Sequence, residues 1–486
     1  MIRRISPAQA GVSEEALARF LHGLKANGYN LHSLLLLRGN GLFFERYWHP
    51  FSAEKPHRMY SVTKSFVSVA IGCLIDEGKL SLTSRVTDFF PDKLPRELSP
   101  LMREQTVRDM LMMSTCLEGP NWFRPDVRDR TAFYFSQSPV KPAGTLFDYD
   151  STGSYILGVL VERVSGMPLL AYLKKKVLDR IGGFENARIL QTPDGTPWGD
   201  SALLCTSRAL MNFARFVMNY GTWEGERLLS EDYLRAATAC QTDNNAEGRV
   251  DYNRYGYGYQ FWRTEHNGFA CVGMGGQYAI CVPDRDFICV TTADTQLSEP
   301  MMGSIFFRAV FDLVDTLDGA APAPCDRSVL SEQPSLSVAR GEAHSEFASK
   351  INGASFLCEK NPMGITRFRF DFDGNGGCLS YTNEQGTKRL PFGMKENRFV
   401  KFPQLGYSDE RGNVHDITDF QYDCAASAGW IEPRKLQIRV QIIDRYLGKL
   451  LMTFGFRDET IAGVRMMKCA EDFLNEYEGW IIARRG

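Results

Sequence analysis

Ser61 and Lys64 stand three positions apart in the stretch Met59-Tyr60-Ser61-Val62-Thr63-Lys64-Ser65-Phe66-Val67. On a helix, residues at i and i+3 share a face, with Cβ atoms about 5–6 Å apart. A serine hydroxyl is a weak nucleophile until a neighbour removes its proton. A lysine can remove it where burial disfavours the charged amine. The run that follows, Phe66, Val67, Val69, Ala70, Ile71 and Leu74, is apolar nearly all round and predicts a helix in the middle of a domain. The pair reads as a covalent nucleophile, Ser61, and its proton partner, Lys64.

Spacing alone does not single this pair out. Ser-x-x-Lys also occurs at Ser52–Lys55 and Ser138–Lys141. Pro56 follows the first copy, and Pro139 and Pro142 interrupt the third, so neither opens a buried helix. For these two, a capping serine and a solvated lysine is the expected role.

A serine–lysine pair still needs a proton relay and a place for the oxyanion. The segment Pro142-Ala143-Gly144-Thr145-Leu146-Phe147-Asp148-Tyr149-Asp150-Ser151 offers Tyr149 as a relay and Ser151 as a hydrogen-bond donor. The cluster Gly273-Met274-Gly275-Gly276-Gln277 lets a strand backbone approach a ligand closely, or else marks a bulge.

The elements that must position these residues can be read in outline. Ser13-Glu14-Glu15 starts a helix with Leu17, Phe20, Leu21 and Leu24 on one stripe. Leu34–Leu37, a Gly39-Asn40-Gly41 turn and Leu42–Tyr47 form a hairpin. The nucleophile helix ends at Gly78. Residues from about 80 to 250 are mostly helix and loop. Sheet returns in Tyr255–Trp262, Ala270–Val272, Tyr278–Val282 and Phe287–Thr292, and a helix from about Met301 to Leu317 closes the unit. Hairpin, helical insertion, then strands and a helix predict an antiparallel sheet covered by helices, an α+β fold.

Residues 321–340, with Ala320-Ala321-Pro322-Ala323-Pro324 at their start and Ser331-Glu332-Gln333-Pro334 within, read as a linker. Beyond it the period becomes two: Phe368, Phe370 and Phe372; Leu436, Ile438, Val440 and Ile442; Leu450, Met452, Phe454 and Phe456. The expected organisation is one domain over 1–320 and a separate antiparallel β domain over 341–486, a barrel or a sandwich.

Composition narrows the partners. The net charge is −2 and 44% of residues are hydrophobic, so neither nucleic acid nor a membrane surface is indicated. No apolar run approaches the roughly 20 residues of a membrane span. Met1–Pro7 has two arginines and no apolar core, unlike a secretory signal. The 12 cysteines are scattered singly, which suits buried thiols in the reducing cytoplasm. The seven histidines are dispersed without metal-ligand spacing, so neither a metal nor a cofactor is expected.

Tyr60-Ser61-Val62-Thr63-Lys64-Ser65, Asp76-Glu77-Gly78-Lys79-Leu80, the Pro-Ala-Gly…Phe-Asp-Tyr stretch and Gly-Met-Gly-Gly-Gln before a strand, in that order, resemble the serine β-lactamase-like, penicillin-recognising superfamily. The resemblance covers roughly residues 10–317 and not the C-terminal domain. It implies a β-lactamase/transpeptidase-like sheet flanked by helices with a helical subdomain. It also implies acylation of Ser61, with Lys64 and Tyr149 sharing the acid–base work. The backbone N–H groups of Ser61 and Gln277 would form the oxyanion hole.

Two departures bear on substrate. Met274-Gly275-Gly276 stands where the family has Lys-Thr-Gly or His-x-Gly, and methionine cannot pair with a substrate carboxylate. Ser151 stands at the family's Tyr-x-Asn asparagine and lacks its amide. Small esters or linear amides are therefore expected ahead of β-lactams. The alternatives are β-lactamase or D-alanyl-D-alanine carboxypeptidase activity, or a non-catalytic binding module.

Overall fold

The computed structural model describes residues 2–119, 127–245, 248, 251–296, 301–319, 323–405, 420–470 and 473–486. The chain divides into two compact units, Met1–Ser335 and Leu336–Gly486.

The first unit is built on a seven-stranded sheet. In spatial order its strands are Arg3–Arg4, Gly41–Tyr47, Leu31–Arg38, Phe287–Ala293, Gln277–Val282, Phe269–Gly273 and Trp262–Arg263. All neighbours are antiparallel except Arg3–Arg4, which runs parallel to Gly41–Tyr47. That two-residue strand carries no period and was not expected. The other central strands are almost wholly buried, because helices cover both faces. Glu14–Ala26 and Met301–Asp315 pack together on one side through Leu17, Leu21, Phe306 and Val310. Ser13 caps the first of them, its hydroxyl accepting from the Ala16 N–H at 3.1 Å. Ser207–Met218 packs on the strands Leu31–Arg38, Gln277–Val282 and Phe287–Ala293.

Ser61 lies in a 3₁₀ turn, Tyr60–Val62, that runs straight into the helix Thr63–Asp76. Every residue of that helix from Thr63 to Leu74 is buried, as its all-round apolar character predicts. It packs against the helices Ser151–Ser165, Leu169–Leu173 and Glu231–Thr238. Its last turn is released at Gly78, where φ is +69°.

Two local expectations need correction. Tyr255–Trp262 is not a strand: only Trp262–Arg263 joins the sheet edge. The preceding residues fold into a turn, with the Gly258 N–H donating to the Phe261 carbonyl and Gln260 at φ +64°. Nor does 321–340 behave as a free tether, although Ala320–Pro322 lie outside the described residues. Val329 is buried in the core of the first unit, Arg46 donates to the carbonyls of Val329 and Leu330, and Lys25 pairs with Glu332 at 2.8 Å. Leu336 and Ala339 are buried in the second unit, where the Ala339 N–H donates to Ser427 Oγ. A proline- and alanine-rich stretch reads as flexible, but these apolar and charged side chains anchor it.

The second unit is a ten-stranded sheet that closes on itself like a barrel: the end strand Gly386–Met394 pairs parallel with Asp423–Glu432, the last strand but one, beyond which only the short Arg398–Lys401 lies. The alternation seen in the sequence fills it. Phe368, Phe370 and Phe454 pack edge to face with centroids 5.8, 5.1 and 4.8 Å apart. Ile438, Val440, Leu450 and Met452 are buried beside them.

Candidate active site

Lys64 Nζ donates to Ser61 Oγ at 2.9 Å. The amine also donates to the Asp200 carbonyl at 2.8 Å and lies 4.0 Å from Asp200 Oδ2. Lys64 and Asp200 are 1% and 4% exposed as side chains, so the amine is withdrawn from solvent with its partners fixed. Burial pushes the Asp200 carboxyl up, while the charges of Lys64, Arg130 and Arg58 pull it back down.

The backbone around Ser61 is held from both sides. His57–Arg58 pairs with Leu203–Cys205, and the Met59 N–H donates to the Leu203 carbonyl at 2.8 Å. Thr63 Oγ1 donates to the Tyr60 carbonyl at 2.6 Å and accepts from the Leu203 N–H at 3.1 Å. These contacts bring Asp200 to Lys64. Between them Tyr60 sits at φ +48°, a left-handed conformation that a tyrosine rarely adopts. Arg58 lies over its ring at 4.4 Å. Strain of this kind persists where the surroundings over-determine the backbone, and here it precedes the nucleophile directly.

Tyr149 is brought to the same place. Its ring centroid is 5.2 Å from Lys64 Nζ. The loop ahead of it is tied down by the Lys141–Asp148 pair at 3.0 Å and by the Asp148 N–H donating to the Met113 carbonyl. Asp150 caps the helix Ser151–Ser165, its carboxylate accepting from the N–H groups of Thr152 and Gly153. Ser151 is the half-buried first residue of that helix, and its hydroxyl makes no hydrogen bond to Ser61 or Lys64. The other Ser-x-x-Lys copies are spent elsewhere. Lys141 Nζ donates to the Leu117 carbonyl at 2.7 Å, and Lys55 lies over the Phe51 ring.

The glycine cluster forms the turn between the strands Phe269–Gly273 and Gln277–Val282. Gly275 and Gly276 have φ of +81° and +95°, the left-handed region that glycine alone enters freely. Gln277 is buried and its side chain is committed: Nε2 donates to the carbonyls of Met274 and Ala293, and Oε1 accepts from the Ala293 N–H. What Gln277 can offer a ligand is therefore its backbone. Met274 is half-buried at the tip of the turn.

Three groups escaped the sequence reading. Asp200 carries no local signal, since its partner is distant in the chain. Gln260 joins two helices: its carbonyl accepts from Ser65 Oγ at 2.7 Å and its Oε1 from Ser154 Oγ at 2.8 Å. A lone polar residue inside Tyr255–Trp262 was its available signal. The third is an aromatic cluster: Tyr149 stacks on Trp262 with centroids 5.4 Å apart, and Phe147 and Tyr257 meet the same indole. Among the described residues no cluster of three His, Cys, Asp or Glu side chains is placed to hold a metal ion.

Known proteins resemble this chain in sequence and in fold. A 6-aminohexanoate-dimer hydrolase of Paenarthrobacter ureafaciens is 24% identical over 314 residues, covering 59% of this chain and 78% of the relative. The structure of an octameric penicillin-binding protein homologue from Pyrococcus abyssi superposes with a TM-score of 0.51 at 15% identity. It covers 96% of this chain and 99% of its own, so its fold extends over both units. A family VIII carboxylesterase gives a TM-score of 0.50 at 17% identity, over 62% of this chain and 97% of its own. The Beta-lactamase family model matches residues 23–306, more than half of the 486. The chain belongs to the beta-lactamase family and is a serine hydrolase of that family.

Proposed function

We propose that this protein hydrolyses small esters or amides through an acyl-enzyme on Ser61. The observation that carries the reading is the 2.9 Å hydrogen bond between Lys64 Nζ and Ser61 Oγ, made by a buried amine at the head of a buried helix. Ser61 Oγ attacks the substrate carbonyl carbon and gives up its proton. Lys64 and Tyr149 carry that proton to the leaving oxygen or nitrogen as its bond to the carbonyl carbon breaks. The backbone N–H groups of Ser61 and Gln277 face the developing oxyanion, a contribution typically of several kcal/mol. Water, deprotonated by the same pair, then attacks the acyl carbon; the bond from that carbon to Ser61 Oγ breaks, the acid is released, and Oγ takes back the proton.

Met274 supports neutral acyl substrates, and relatives named as a 6-aminohexanoate-dimer hydrolase and a carboxylesterase support amides and esters as the bonds cleaved. Gly275, Gly276 and Ser151 complete the proposed substrate-facing surface. All 12 cysteines are free, which supports a cytoplasmic setting. No single described helix is long and apolar enough to cross a membrane.

A fluorophosphonate probe followed by peptide mass spectrometry tests the reading. Label on Ser61, lost in Ser61→Ala and retained in Ser52→Ala and Ser138→Ala, is the expected result. Label on another residue, or none, overturns it.

A further inference from the structure

Tyr149 is the innermost ring of a continuous apolar wall. It stacks on Trp262 at an interplanar angle of 24°, while Phe147 meets Trp262 edge-on, with centroids 6.0 Å apart. Behind them Tyr257 stands perpendicular to Trp262, 4.9 Å away, and tilted by 54° against Phe147, 5.4 Å away. The back of the wall is sealed: Met113, Tyr257 and Trp262 are buried. Its front is half open, formed by Phe147, Tyr149 and Val272.

That front joins the reacting groups. Lys64 Nζ lies 5.2 Å from the Tyr149 ring centroid. Val272 precedes Gly273, whose backbone lies against the Met59 carbonyl beside Ser61. Phe147 and Val272 carry no charge, and the Tyr149 ring is stacked on Trp262 with Lys64 Nζ over it. Rings prefer stacked or edge-to-face neighbours about 4.5–7 Å apart, the spacing this cluster already shows.

We infer that Phe147, Tyr149 and Val272, backed by Trp262, form a subsite for a flat apolar group of the substrate next to its scissile carbonyl, making aryl-bearing esters and amides the favoured class. The inference rests on Ser61 being the nucleophile.

Three esters test it in a pH-stat: methyl butyrate, methyl 3-phenylpropanoate and benzyl acetate, with the ring absent, on the acyl side or on the alcohol side. At least one ring-bearing ester should exceed methyl butyrate in kcat/KM by about tenfold, the scale of one aromatic contact plus its buried area. Phe147→Ala should lower the ratio of ring-bearing ester to methyl butyrate by about as much. Phe147→Leu, which keeps apolar bulk without a ring, should lower it as well. Equal kcat/KM for all three esters, or a ratio unmoved in both variants, overturns the subsite. Absent hydrolysis together with an unlabelled Ser61 would instead overturn the proposed function on which it stands.

Discussion

A side-chain carbon at Gly273 would stand 2.3 Å from the Met59 carbonyl oxygen and 3.2 Å from the Val62 backbone nitrogen. The end of this strand and the nucleophile turn are thus in backbone contact, and only glycine permits it. The contact sets the distance between Ser61 and the turn that carries Gln277. Gly273→Ala must push the two apart. Overpacking of this kind costs about 1–3 kcal/mol of stability. The larger effect should fall on reactivity, since a 1 Å misplacement costs about 10²-fold. Fluorophosphonate labelling rates and urea midpoints separate the two. A folded variant labelled at the wild-type rate would show that this spacing does not matter.

Gln260 fastens the nucleophile helix to the helix that follows Tyr149. Its Nε2 also donates to the carbonyls of Met110 and Leu111. Gln260→Ala removes every side-chain bond and leaves the buried Ser154 hydroxyl only the Asp150 carbonyl at 3.3 Å. Each hydrogen bond lost costs about 0.5–1.5 kcal/mol net. The urea midpoint should drop accordingly, and kcat should fall with it. An unchanged midpoint would mean that backbone contacts alone hold the two helices.

His57 makes stability depend on pH. Its Nδ1 lies 2.9 Å from the Arg58 carbonyl, which can only accept, so Nδ1 carries the proton and Nε2 accepts from His32 Nδ1 at 2.8 Å. Burial pushes His57 down to about 4, from an ordinary value near 6.5. As pH falls through about 6.5 the unfolded chain takes up a proton here and the folded chain does not. This contribution is complete above about pH 6.5 and is lost progressively down to about 4, some 3 kcal/mol in all. Urea melts at pH 7 and pH 4.5 should differ more for the wild type than for His57→Gln. Equal differences would remove His57 from the account.

On the proposed reading, Met274 sets the charge of the preferred substrates. A lysine at this place would offer a carboxylate a charge-assisted hydrogen bond of about 1.5–3 kcal/mol. Met274→Lys should therefore raise kcat/KM for nitrocefin relative to p-nitrophenyl butyrate by about 10- to 100-fold. Fast wild-type hydrolysis of nitrocefin, undiminished by salt, would show that no such cation is needed.

Much of the candidate site was legible because its residues are local. Ser61 and Lys64 meet through helical spacing, and the helix was legible through its apolar run. Two of the three Ser-x-x-Lys copies were set aside on proline positions alone, and their lysines do bond elsewhere. The C-terminal strands followed from period two, which places Phe368 and Phe370 inside and Arg367 and Arg369 outside. At the expected linker, Pro and Ala say nothing of the Val329 that anchors it.

The amino-acid sequence by itself determined what short-range geometry controls: which serine heads a buried helix, where a backbone can turn at Gly275 and Gly276, and which strands alternate. Tertiary structure alone decided what those groups face. Asp200 reaches Lys64 because Leu203–Cys205 pairs with His57–Arg58, a register set by sheet hydrogen bonds between segments far apart in the chain. Trp262 meets Tyr149 because a turn at Gly258 replaces all but the last residue of the expected strand, with the Ala237 carbonyl 2.1 Å from where a side-chain carbon of residue 258 would stand. Such contacts depend on packing across the whole unit, and no local spacing encodes them.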